Sequence, residues 1–348
     1  MHLPQKRATI KDIARVAGVS TATVSQALRP SANSNIKLQD ETIERVKAVA
    51  QELNYRPHSG ARSIRSKQFG TLGYFVAKNG LFTHTPAGYM AGVHDAAEEN
   101  HYRITLIRLP HNVDDLSLSL PSVFNEHNLD ALVIESYSEL SDRIHGALQN
   151  SDFPVVYLND KHENNSVYVD DVEGARMLVR YLTGKGYRKI AFVLRRNEGF
   201  TGDIAQMHHS ALDRMVGFQE EMKAQGLEPD VVELEKDVVG LDVDLRDDEW
   251  TLLEPYEAII VYDDDLANLI GRYAYRKGIR MPEDIALASF NGDYGSLCAW
   301  QRLTTVKLPS YEMGRKATEM ALELLLRGKP DAVPSVVFQP ELLQGETA

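Results

Sequence analysis

Residues 9–28 read Thr9-Ile10-Lys11-Asp12-Ile13-Ala14-Arg15-Val16-Ala17-Gly18-Val19-Ser20-Thr21-Ala22-Thr23-Val24-Ser25-Gln26-Ala27-Leu28. Ile10, Ile13, Ala14 and Ala17 recur at the spacing of one apolar helical face. Thr9 is placed to cap that helix, with Asp12 three residues on to complete a capping box. Gly18 ends it, because glycine takes a left-handed backbone at little cost. Ser20 is placed to cap a second helix whose inner face is Val24, Ala27 and Leu28. Its outer face, Thr21, Ala22, Ser25 and Gln26, is small and polar and suits a groove of DNA. Helix, glycine-containing turn and helix make the helix-turn-helix pattern; a plain helical hairpin is the alternative.

Charge favours the first reading. The chain has 348 residues and a net charge of -12, which is unfavourable for contact with nucleic acid as a whole. The charge is uneven, however. Residues 1–68 hold twelve Lys and Arg against five Asp and Glu, a net +7, so the remainder carries -19. A basic head is drawn to phosphates and an acidic body is repelled by them. The single cysteine, Cys298, excludes an internal disulfide framework and a multi-cysteine zinc site. The opening residues show no apolar stretch of the secretory type. No segment approaches the ~20 apolar residues of a membrane helix. A cytoplasmic protein is expected.

A third helix is predicted from about Asp40 to Leu53, with Ile43, Val46, Ala50 and Leu53 as its buried stripe. The connection from Arg29 to Gln39 reads as a loop. The polar, basic stretch from Tyr55 to Lys67 is either a flexible linker or a helix that forms only against a partner. Gly60 disfavours a helix there, and Ile64 has nothing local to pack on.

Beyond Phe69, apolar runs recur at Thr71–Ala77, Ile104–Leu109, Ala131–Ile134, Val155–Leu158, Lys189–Leu194, Ala258–Tyr262 and Ile285–Phe290. Helical stretches lie between several of them: Ala87–Glu99, Glu173–Thr183, Arg214–Ala224 and Leu266–Lys277. Continuous apolar strands alternating with helices imply doubly wound parallel sheets. Such sheets bind ligands at the carboxyl ends of their strands.

These features together resemble the LacI/GalR family of bacterial transcriptional repressors. The resemblance rests on the run Ile13–Ser20, then Thr23-Val24-Ser25, Asn54-Tyr55-Arg56-Pro57 and Ala61-Arg62-Ser63. In the body it rests on Gly184–Phe192, Arg214-Met215-Val216-Gly217-Phe218, Pro282-Glu283-Asp284-Ile285 and Leu303-Thr304-Thr305-Val306. It spans the chain from Thr9 to about Pro340. The implied fold is an all-α helix-turn-helix head with a hinge helix, then an α/β two-lobed sensor like a periplasmic binding protein. The implied domains are a DNA-binding head at 1–58, a hinge at 59–68 and an effector-binding and dimerisation domain at 69–348. In that domain the first lobe is expected at about 69–169 and 295–328, the second at about 170–294 and 329–348.

The resemblance also implies roles. Thr21, Ala22 and Gln26 would read base edges, and glutamine suits adenine. Thr9, Ser20, Thr23 and Ser25 would contact phosphates, with simple helix capping as the alternative for Thr9 and Ser20. Ala61, Arg62 and Ile64 would form a hinge in the minor groove, with Ile64 as the wedge. The loop from Arg29 to Gln39 is longer than in well-known members.

In the sensor, Phe82, Asp170, Arg214, Asp263, Asn291 and Trp300 fall at effector-binding positions. Arg214 is otherwise an ordinary surface arginine, and Phe82 and Trp300 are otherwise core or interface. Asp264 is expected to cap the following helix. Asn291 stands where the family usually has Asp, so the hydroxyl pattern read differs.

The adjacent His208 and His209 are expected at the surface, and Asp242 to Glu249 as a solvated acidic loop. The expected partners are pseudo-palindromic operator DNA, a small sugar-like effector and a second copy of the chain, with no cofactor. No nucleophile–base spacing or phosphate loop is visible, so no enzyme is expected. The alternative is a cytoplasmic carbohydrate-binding protein with no regulatory role.

Overall fold

The computed structural model describes residues 8–28, 38–56, 68–77, 86–109, 128–135, 148, 154–195, 208–234, 245–292, 301–327 and 332–348. Ala61, Arg62, Ile64, Phe82, Trp300 and most of the Arg29–Gln39 loop lie outside them. The chain forms two compact units, Met1–Phe69 and Gly70–Ala348.

The first unit holds α1 (Ile10–Ala17), α2 (Thr21–Leu28) and α3 (Asp40–Glu52). Thr9 and Asp12 cap α1 reciprocally, and Gly18, at φ +67, ends it in the left-handed region. The three helices bury one small core of Ile13, Ala14, Ala17, Val24, Ala27, Val46 and Ala50. Ile10, Leu28, Ile43 and Leu53 pack partly buried against it.

The second unit contains two six-stranded sheets. The first is built from β1 (Thr71–Ala77), β2 (Arg103–Leu109), β3 (Ala131–Glu135), β4 (Val155–Leu158), β5 (Ser166–Val169) and β11 (Val336–Phe338), in the order β11-β5-β4-β3-β1-β2. All its pairings are parallel. The second is built from β6 (Ile190–Arg195), β7 (Asp230–Leu234), β8 (Ala258–Val261), β9 (Ala286–Asn291), β10 (Thr304–Lys307) and β12 (Glu341–Leu343), in the order β12-β10-β9-β8-β6-β7. Only β12 runs antiparallel to its neighbour.

Among the described residues of this unit the helices are α4 (Ala87–Glu99), α5 (Asp171–Gly184), α6 (His209–Ala224), α7 (Asp247–Thr251), α8 (Asp264–Lys277) and α9 (Ser310–Arg327). The fully buried central strands, such as Ala131–Glu135 and Ala258–Val261, explain the continuous apolar runs in the sequence.

Strand pairing divides the lobes differently from the expected boundaries. Thr304–Lys307 lies in the second sheet, not with the first lobe, and Val336–Phe338 lies in the first sheet, not with the second. Between them α9 packs Met313, Ala317, Met320, Ala321 and Leu324 into the first lobe's core. These strands have three or four residues each. Too short for a pattern, they take their sheet from whichever edge offers unpaired backbone groups.

Helix α6 packs closely on α5 because Gly217 has no side chain: a Cβ there would overlap the Val172 carbonyl. Phe218 is fully buried beside Phe192, with ring centroids 5.8 Å apart. The acidic run expected to be solvated ends in α7, where Glu249 is 2% exposed and pairs with Arg195 at 3.2 Å. Arg195 stands at the end of β6, so tertiary pairing draws that one acid inward.

The lobes meet where the β4–β5 connection faces the start of α6. Lys161 Nζ lies 2.8 Å from Asp213 Oδ2. His208 Nε2 bonds to the Asn159 carbonyl at 2.6 Å, and its Nδ1 accepts the Ser210 N–H at 3.3 Å. That pattern requires the neutral ring with its proton on Nε2. The expected surface placement of His208 is therefore corrected. It precedes the helix as its N-cap, at φ -52 and ψ 140, so its ring turns back toward Asn159 and does not follow helical spacing.

Two outcomes are expected. Gly217→Ala forces α5 and α6 apart and should destabilise the second unit by about 1–3 kcal/mol; thermal unfolding followed by tryptophan fluorescence measures it, since Trp250 lies in that unit. Burial, then the neighbouring His209, pushes the His208 pKa from 6.5 down to about 3. The unfolded chain therefore takes up a proton below pH 6.5 that the folded chain refuses. Stability from this group is full above pH 6.5 and falls toward pH 3, by up to about 1.4 kcal/mol per pH unit. Denaturant titrations at pH 7.5 and 5.0 should show that slope, shallower in His208→Gln; an identical slope in the variant would contradict it.

Candidate functional site

In the first unit, the second helix of the helix-turn-helix presents Thr21 and Ala22 exposed, with Thr23, Ser25 and Gln26 half-buried. Ser20 Oγ accepts the Thr23 N–H at 3.0 Å and lies 2.9 Å from Thr23 Oγ1. Thr9 Oγ1 donates to Asp12 Oδ2 at 2.7 Å. The capping roles of Thr9 and Ser20 are thus real in the free protein. Lys11, Arg15, Arg45, Lys47 and Arg56 are exposed on the same unit. A small polar helix face on a basic unit matches the needs of a DNA groove.

In the second unit, Arg214 is 3% exposed, so it is not a surface arginine. Its Nε donates to Asp171 Oδ1 at 2.6 Å, Nη1 to the Tyr262 carbonyl at 2.6 Å and Nη2 to Asn291 Oδ1 at 3.2 Å. The guanidinium also lies over the Phe290 ring at 4.4 Å and the Tyr262 ring at 5.0 Å. Burial works against its charge, but Asp171, together with Tyr262 and Asp263, more than offsets this and raises its pKa above the ordinary value. Three segments meet at this one side chain: the start of α5, the residue after β8 and the last residue of β9.

Asn291 adopts φ +96, a left-handed conformation unusual for a side-chain-bearing residue and tolerated best by Asn. Its chain position between Phe290 and Gly292 explains how the amide reaches Arg214. Asp263 is the cap of α8, accepting the Leu266 N–H at 2.8 Å. The expectation that Asp264 would be the cap is corrected: Asp264 is 2% exposed and accepts from Ser289 Oγ at 2.6 Å and Thr305 Oγ1 at 3.1 Å. Helix geometry decides this, because only the residue before the first turn points its carboxylate back at the third N–H. Asp170 caps α5 in the same way, through the Glu173 N–H at 3.0 Å.

The structure thus brings together Arg214 and Asn291, with Asp263 close enough to act on Arg214 electrostatically and Asp170 next to Arg214's partner Asp171. Sequence reasoning missed Asp171 and Tyr262. The doublet Asp170-Asp171 was the available signal, since one helix start needs one cap. Hydroxyls stand beside Arg214 as well: the buried Ser210 Oγ lies 2.9 Å from Tyr262 OH, whose ring the guanidinium overlies. Donors, acceptors and ring faces of this kind suit a small polyhydroxylated molecule. Among the described residues, no group of three or more His, Cys, Asp or Glu is arranged to hold a metal ion. None of the described helices is long and apolar enough to cross a membrane.

Comparison with known proteins agrees with this architecture. Residues 9–58 match the model for bacterial regulatory proteins of the lacI family, and residues 179–348 match that of the periplasmic binding protein-like domain. The transcriptional regulator RegA of Clostridium saccharobutylicum is 25% identical, over 97% of this chain and 98% of its own. The regulator MalR of Staphylococcus xylosus is 28% identical over 91% of each. The crystal structure of the Lac repressor bound to ONPG superposes with a TM-score of 0.78, at 23% identity over 99% of this chain and 100% of that one. The complex of the regulator CelR with cellobiose gives 0.65, at 22% identity over 98% and 100%. With its helix-turn-helix unit and two-sheet periplasmic binding protein-like body, the chain belongs to the lacI family of DNA-binding transcriptional regulators.

Proposed function

We propose that the protein is a repressor of carbohydrate-utilisation genes, working as a homodimer on a pseudo-palindromic operator and controlled by a small sugar-like effector. The observation that carries this reading is the buried Arg214, held at the strand ends of the second lobe with Asn291 and Asp171. The cellobiose held by CelR supports the effector class. The protein acts in the cytoplasm, without a cofactor and without catalysing a reaction.

In this reading the domains are the head at 1–58, the hinge at 59–68 and the sensor from 69. Thr21, Ala22 and Gln26 read bases, while Thr9, Ser20, Thr23 and Ser25 hold phosphates through hydroxyls that also cap helices. Ala61, Arg62 and Ile64 enter the minor groove. Arg214, Asn291, Asp263 and Asp170 bind the effector, with Phe82 and Trp300 stacking on its apolar face. Effector binding changes the angle between the lobes and so the order of the hinge.

The test is thermal unfolding of the purified chain against a panel of sugars, followed by operator binding with and without the hit. A ligand at a hundred times its Kd should add about 2.7 kcal/mol to stability. By linkage, the effector and the operator must alter each other's affinity by one and the same factor; identical effector affinity with and without operator would remove the allosteric claim. Gln26→Ala should relax the preference at one A·T pair by about 1–3 kcal/mol. An equal weakening across a library of operators would show that Gln26 reads no base.

A further inference from the structure

Asp171 is 3% exposed, yet it satisfies Arg214 through one oxygen only. Its Oδ2 is buried and has no hydrogen-bond partner in the protein. A pair built for stability uses the two-pronged geometry that guanidinium and carboxylate share. Here the contact is made through Nε, while Nη1 and Nη2 turn to the Tyr262 carbonyl and Asn291. Guanidinium carries five N–H groups; these three bonds leave two. An orphaned carboxylate oxygen in a buried place is costly unless something donates to it. The other oxygen of the same carboxylate holds Arg214, whose guanidinium keeps donor capacity to spare. An acceptor next to a donor is what one hydroxyl group needs, since it gives a proton to one and receives from the other.

The charge balance points the same way. Asp171 cancels the charge of Arg214, and Asp263 adds a further negative field at the guanidinium. A carboxylate or phosphate approaching Arg214 meets the Asp171 carboxylate and the unpaired Oδ2, so it is repelled where an unneutralised arginine would attract it.

We propose that Asp171 is an effector-specificity residue: its Oδ2 accepts the proton of an uncharged hydroxyl and its charge rejects an anionic group at the Arg214 position. This rests on the carbohydrate-effector reading. The class of ligand is then a sugar neutral where it meets Arg214, not a uronate or a sugar phosphate presenting its anion there.

The test uses the full-length protein and its Asp171→Asn variant. Glucose, galactose, maltose and cellobiose are compared with glucuronate, galacturonate and glucose 6-phosphate by thermal shift and calorimetric titration. The wild type should bind a neutral sugar at least about tenfold more tightly than its anionic counterpart. Asp171→Asn should weaken the neutral sugar by about tenfold or more and narrow or invert that ratio. A purely structural role would lower the melting point of the unliganded variant and leave the ratio unchanged, which would overturn the inference. Wild-type preference for an anionic sugar would overturn it without recourse to the variant, so poor folding of Asp171→Asn does not shield it. If no sugar of either series binds the wild type, the carbohydrate reading itself falls and this inference with it.

Discussion

A guanidinium taken out of water must recover its hydration from fixed partners, and Arg214 recovers it from three segments that are far apart in the chain. Asp171 supplies the opposing charge, Tyr262 a carbonyl, Asn291 an amide oxygen, and Phe290 and Tyr262 the ring faces. Removing one partner of such a pair strands the other charge, which is far more damaging than never having built it. The start of α5, the end of β8 and the end of β9 are therefore held in one arrangement by a single side chain. Gly217, one turn further along α6, makes the approach of that helix to α5 possible. The strand ends of the second lobe inherit their shape from this knot.

The two units are built on different kinds of contact. In the first, neighbouring helices share one small core, and every partner is near in sequence. In the second, the chain crosses between the sheets after β5, after β10 and after β11. Neither sheet is complete until the last strands are added, so the pairing is long-range and its loop-closure entropy is large. Between the lobes lies a polar junction, Lys161 with Asp213 and His208 with Asn159. Contacts of that kind are specific in geometry and modest in energy, unlike the apolar cores inside each lobe.

The helix-turn-helix was legible because each of its devices is local. The Thr9–Asp12 box, the left-handed Gly18 and the apolar spacing of Ile13, Ala14 and Ala17 all act within a turn or two of helix. The buried central strands were legible for a related reason: strands such as Ala131–Glu135, covered on both faces, leave no polar alternation to confuse the pattern. Ser166–Val169, Asp230–Leu234, Thr304–Lys307, Val336–Phe338 and Glu341–Leu343 were missed, being short and mostly at or near sheet edges. In the site, Arg214, Asn291, Asp170 and Asp263 could be pointed to individually. That Asp263 and not Asp264 caps α8, and that Asp264 instead binds Ser289 and Thr305, depends on which carboxylate the helix start turns inward.

The sequence by itself determined the basic helical head and the parallel-sheet class of the body, because periodicity, capping residues and charge segregation are written within short windows, while the runs Ile13–Ser20, Arg214–Phe218 and Leu303–Val306 carried the resemblance to the family and with it the two-lobed division. Tertiary structure alone decided which sheet each terminal strand joins, that His208 is drawn to Asn159 and that Arg214 is neutralised by Asp171. Those outcomes turn on burial and on hydrogen bonds between residues tens to hundreds of positions apart, where the energy of a polar group is set by the partners that folding brings to it and not by its neighbours in the chain.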